Sequence, residues 1–178
     1  MPCREDIVLL ASYNAAMNEK LYAAAASLPQ EALVADRGAF FGSILGTLNH
    51  IVAGDTIWLR RFMAHPANLA SLQAMHAIAA PPALAHIYSD ELDVLLAQRR
   101  RLDAIITALA AEGSESDLAQ AVPYRNSRGE FQKNFGMLLL HFFNHQTHHR
   151  GQASTLLSQS KVDIGVTDLL GWIPEAGR

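Results

Sequence analysis

Apolar residues recur along this chain at helical spacing. Ile7, Leu10, Ala11, Asn14, Met17, Leu21, Ala24 and Leu28 fall close to a period of about 3.6, which predicts a long helix over 4–28. Pro29 ends it, because the residue before a proline is biased away from helical backbone. Residues 30–40 read as a loop containing Asp36, Arg37 and Gly38. A second helix runs from Ser43 to His65, with Ile44, Leu48, Ile51, Trp58 and Phe62 on one face and Pro66 as its stop. A long connection over 66–82 carries a short helical turn near 69–75 and closes on Pro81-Pro82. A third helix fits 83–112, with Ile87, Glu91, Val94, Leu95, Leu102, Ile105 and Leu109 recurring and Gly113 as its cap. The period then breaks: Val122 to Phe131 reads as a small hairpin or ordered loop. The fourth helix spans 133–159, and the tail holds a short helix around 167–171. Four long helices with two long connections predict an all-α four-helix bundle, one domain over 1–178.

Composition agrees. The chain has 178 residues, of which 29 are Ala and 24 Leu, both strong helix formers. A net charge of −3 gives no electrostatic reason to bind nucleic acid. No apolar run approaches the roughly 20 residues that span a bilayer, and Glu5 and Asp6 precede the first apolar run, unlike a secretory signal. The expectation is a soluble, cytoplasmic protein with neither nucleic acid nor membrane as partner. One cysteine excludes an internal disulfide framework and a cysteine-based zinc site. Eight histidines remain as the chemical clue.

Four of them, His141, His145, His148 and His149, lie within nine residues of the fourth helix. His141, His145 and His149 are spaced i, i+4, i+8 and share one side; His148 lies i+3 from His145, so spacing alone leaves several pairs open. At about 100° per residue, Leu138, Phe142, Phe135, Ala153 and Leu156 mark the core direction. His145 and His149 turn towards it, whereas His141 and His148 lie further round. Two inward imidazoles four residues apart suit a transition metal. The candidate third ligand is His50 on the second helix, among the small residues Ser43, Gly46, Thr47 and Gly54. A three-histidine site leaves a fourth position open for water or substrate. Asp55 falls on the apolar face of the same helix; a buried carboxylate needs a partner, either a ligand imidazole or an arginine. His65, His76 and His86 read as loop or surface residues.

The H-E-x-x-H motif is absent: the pentad is His145-Gln146-Thr147-His148-His149, without the glutamate that serves as general base. Cys3, near the N-terminus, is a weak nucleophile candidate. Gly151 inside the fourth helix costs about 1 kcal/mol relative to alanine, which suggests close packing against another helix. Arg150 is left to pair with Asp55, to cap a dimer contact or to face solvent.

Four stretches together resemble the DinB superfamily, the damage-inducible-type proteins grouped with YfiT-like metal-dependent hydrolases. They are 13–18, with Tyr13, Asn14 and Asn18; 37–50, ending in Leu48-Asn49-His50; 124–130, from Tyr124 to Glu130; and 144–152, from Asn144 to Gln152. The resemblance covers most of the chain. It implies an up-up-down-down-like four-helix bundle, often a homodimer. It also implies one divalent metal, zinc or nickel, held by three histidines, which carry over as His50, His145 and His149. Some relatives use a low-molecular-weight thiol as cosubstrate.

The expected function is that of a metal-dependent transferase or hydrolase, activating a thiol or water for attack on a small electrophile. Asn14, Trp58, Tyr124 and Gln152 are candidate pocket residues, and Asp55 and His148 flank the site. The alternative is a non-catalytic dimeric stress-response bundle whose metal site is structural or vestigial.

Overall fold

The computed structural model describes residues 1–175. Helix α1 (Arg4–Ala25) starts at a capping box in which the Asp6 carboxylate accepts the Cys3 amide at 2.9 Å. It stops three residues before the expected end: the Ser27 and Leu28 amides reach back only three residues, to Ala24 and Ala25. Pro29 then caps a short helix, α2 (Gln30–Val34), where a loop was expected; a proline is well placed at a helix start because its missing N–H is not needed there. Ser43 caps α3 (Ile44–Phe62), its Oγ accepting the Gly46 amide at 2.9 Å. A 3-10 turn follows at Ala70–Ala77.

The third long helix, α4 (Leu92–Glu112), begins nine residues later than the periodicity suggested. Residues 83–91 are fastened to α3 instead. Asn49 accepts the Tyr88 amide at 2.7 Å and donates to the Ser89 carbonyl at 2.8 Å, while His50 Nδ1 meets the Leu84 carbonyl at 3.0 Å. Backbone groups held this way are not free to make helical bonds. Helix α5 (Glu115–Ala119) fills part of the next connection, capped by Ser114. The hairpin is real: β1 (Ala121–Asn126) pairs antiparallel with β2 (Gly129–Asn134), Tyr124 opposite Phe131. Gly129 takes a φ of +129°, which a side chain would resist. Helix α6 (Phe135–Gln159) follows, with Asn134 as its cap. The tail turns back along α1: Tyr13 donates to the Thr167 carbonyl at 2.5 Å, Lys20 to the Val166 carbonyl at 2.6 Å, and Trp172 packs edge-on against Tyr13.

The protein is thus mostly helical with one small two-stranded sheet. Helix α1 packs on α4 and α6, and α3 packs on the same two helices from the other side. Their apolar faces merge in one core that includes Leu48, Phe62, Leu95, Leu102, Phe135 and Phe142. Through this core runs a polar chain. Arg99 on α4 pairs with Asp55 on α3 at 2.5 Å and with Asp103 at 3.0 Å. Asn14 and Asn18 on α1 donate to Asp103 at 3.2 and 3.0 Å, and Arg150 on α6 donates to Asn14. Of the readings left open for Arg150, pairing with Asp55 and facing solvent both fail: it is buried and donates to Asn14 on α1, while Asp55 is taken by Arg99. Gly151 meets no neighbour, so close packing is not its reason either. Among the described residues no helix is long and apolar enough to cross a membrane.

Candidate metal centre

His50 comes from α3 and His145 and His149 from successive turns of α6, where these two helices pack together. One ring nitrogen from each falls within 4.8 Å of the other two. His50 Nε2 and His149 Nε2 are 3.1 Å apart. Two nitrogens held by a tetrahedral ion at about 2.0–2.1 Å stand roughly 3.3 Å apart, so this spacing already matches a shared ligand.

Tautomers decide what those facing nitrogens can be. The Leu84 carbonyl can only accept, so His50 Nδ1 carries the hydrogen in that 3.0 Å bond. Gln152 Oε1 accepts from His149 Nδ1 at 2.7 Å, and the other end of that amide donates to His148 at 3.3 Å. In neutral rings both Nε2 atoms are then bare lone pairs pointing at each other. Burial holds His50, His145 and His149 below the ordinary imidazole range, so the neutral form is favoured. His145 is pushed down to about 3, by burial first and then by the fields of His149 and His50. Its buried Nδ1 has no hydrogen-bond partner among the described residues. Converging lone pairs and an orphaned nitrogen are unfavourable alone and are satisfied by a cation. The donor set therefore fits a divalent metal, with Leu84 and Gln152 as the outer partners that fix ring orientation.

Two further contacts position the rings. Phe41 stacks on His50 with centroids 3.8 Å apart and planes at 16°. A Cβ at Gly54 would stand 2.7 Å from His145 Cε1, so this glycine is what allows the imidazole to lie against α3. Neither role is visible in the sequence reading, although Gly54 is among the small residues noted around His50. The Leu84 carbonyl left no signal at all, being backbone.

The remaining expected residues separate. Gln152 and His148 lie at the cluster, His148 exposed and bonded to Gln152. Asp55 is spent on Arg99 and bonds no histidine. Asn14 belongs to the buried polar chain, its amide divided between Asp103 and Arg150. Trp58 and Tyr124 meet at 5.5 Å beneath the hairpin, with the Arg61 guanidinium over both rings. This aromatic wall reaches the cluster through His141, which lies 5.0 Å from Trp58 and 6.4 Å from His145, ring to ring. His65, expected at the surface, is buried: Nε2 donates to the Asp117 carbonyl and Nδ1 accepts the Ala67 amide.

A search of curated proteins and a search of solved structures each returned no match. A family model does match: the DinB family model spans residues 1–171, and with nearly the whole chain covered the protein belongs to the DinB family.

Proposed function

We propose that this protein is a DinB-type four-helix bundle holding one divalent metal, zinc or nickel, on His50, His145 and His149. In this reading it is an enzyme of the thiol S-transferase or hydrolase type, acting on a small electrophile. The observation that carries the metal is the pair of bare Nε2 atoms 3.1 Å apart. When bound, such an ion supplies Lewis acidity, making a coordinated thiol or water a stronger acid near neutral pH.

The chain's own residues do the rest. Leu84 and Gln152 hold the hydrogens on Nδ1 and keep both Nε2 atoms facing inward. Phe41 covers one face of His50 and excludes water from it. Trp58, Tyr124 and Phe131 offer an angled apolar wall for an electrophile, the Trp58 and Tyr124 planes meeting at 58°, with Arg61 over both rings. The only cysteine, Cys3, caps α1, so a sulfur nucleophile arrives as a low-molecular-weight thiol cosubstrate. We further propose a cytoplasmic homodimer, with neither nucleic acid nor membrane as partner.

The test is metal content of the purified protein beside His50→Ala and His145→Ala. One equivalent in the parent and loss of most of it in both variants is expected; full occupancy in both variants overturns the ligand set. Thiol consumption with an aryl halide is then followed with and without chelator. A large fall in melting temperature on chelation, with no thiol-dependent turnover, would instead make the metal structural.

A further inference from the structure

Arg150 sits on the face of α6 that turns to α1, away from the three histidines and α3. It is 8% exposed, yet no carboxylate among the described residues lies within 4 Å of it. Its hydrogen bonds go to neutral oxygens, those of Asn14, Asn18 and Thr147. Asp55 and Asp103, whose fields reach it, are both bonded to Arg99. Its Nε makes no hydrogen bond among the described residues. A buried guanidinium is ordinarily matched by an anion; here the Tyr13 ring, 5.6 Å from Cζ, and the more distant Asp55 and Asp103 are all that face its charge among the described residues.

Beside Arg150 lies a cavity of about 230 Å³ between α1, α6 and the returning tail. Met17, Leu21 and Ile164 give it apolar walls, and Thr147 and Ser154 place hydroxyls near the charged end. Gly151 borders it, and a Cβ there would meet nothing within 4 Å. Glycine is unfavourable in a helix interior, and no contact demands one here. The tail closes one side through the carbonyl bonds that Tyr13 and Lys20 make to it.

We propose that this cavity is a second ligand site, separate from the histidine cluster, which takes a small monocarboxylic acid with a short apolar chain. The carboxylate sits against Arg150, whose planar fork suits it, and the chain lies along Met17, Leu21 and Ile164. The volume is below the roughly 300–1,000 Å³ of drug-sized pockets, which limits the acid to a short chain.

Calorimetric titration of the metal-loaded protein with sodium octanoate tests this. One octanoate per chain is expected, with 1-octanol at least about tenfold weaker because it lacks the charge. Gly151→Leu, an exposed position at the cavity, weakens octanoate at least about tenfold while leaving metal content and melting temperature in place. Ser154→Leu serves as a second occluding variant should the first fold poorly. His50→Ala retains octanoate binding whether or not the histidines hold a metal. Absence of octanoate binding, equal affinity for octanol, undiminished binding in the occluding variants, or its loss in His50→Ala would each overturn the proposal.

Discussion

At position 54 the space for a methyl group is already taken by the His145 ring, 2.7 Å from where a Cβ would stand. Gly54→Ala therefore has two opposed effects. Alanine is the better helix former by about 1 kcal/mol, which favours α3. The clash displaces His145 from the cluster. The expected outcome is a melting temperature close to that of the parent and metal affinity lower by about 10–100-fold, the usual cost of disturbing a ligand's supporting contacts. A competition titration against a chromophoric chelator reads the affinity. Parent-like affinity would show that the ring has room to move. At this scale the histidine cluster was legible in the sequence because His145 and His149 sit one turn apart on an inward face. The rings' supports were not, since a carbonyl, a stacked phenyl and a missing methyl leave no periodic trace.

Single elements are joined by the charged chain through the core. Arg99 holds Asp55 at 2.5 Å and Asp103 at 3.0 Å, and through Asn14 and Asn18 the contact passes to α1 and then to α6. Arg99→Met keeps the bulk and removes the charge, leaving two buried carboxylates without their cation. A loss of about 3–5 kcal/mol is expected in urea unfolding, the range for breaking a buried pair from one side. A loss under about 1 kcal/mol would mean that the carboxylates take up protons at little cost. Burial already pushes Asp55 up to about 7 against the pull of Arg99. Arg99 stands four residues after Leu95 and three before Leu102 on the buried line of α4, yet the periodicity reading passed over it because it is charged. The late start of that helix was not legible either, because Asn49 lies 40 residues from the segment it holds. Local propensity gives way to such a distant clamp. The arc of α6 that meets α1 was missed for a related reason: Gln146 and Arg150 are polar, and an apolar wheel discounts them.

For the molecule as a whole, the sign of its acid sensitivity follows from the same burial. His50, His141, His145 and His149 are all held below the ordinary imidazole range, each by burial first. Between those lowered values and about 6.5 the unfolded chain binds more protons than the folded one. Stability from these groups is complete above that range and is lost as pH falls. Asp55, raised, acts in the opposite sense over its own window, one group against four. The metal-free protein should therefore melt at a lower temperature at about pH 5 than at about pH 7.5, read by circular dichroism in chelator. An unchanged or higher melting temperature in acid would show that the imidazoles hydrate in the folded state. Four long helices and a hairpin before the last were legible from period and turn residues, and the three histidines already drew α3 to α6; that α1 packs on α6 through polar residues was not, as an apolar period does not mark such a contact.

The bond from His50 to Leu84 is made to a main-chain oxygen, and this changes what can vary around the site. Any residue at position 84 presents the same carbonyl, so substitutions there leave the imidazole's hydrogen where it is. Length is another matter. An insertion or deletion between residue 84 and the Asn49-held pair, Tyr88 and Ser89, would carry that oxygen out of register with the ring. Over evolutionary drift the loop is free in spelling and fixed in count, an indel-intolerant spacer that comparisons of residue identity alone would score as unconstrained.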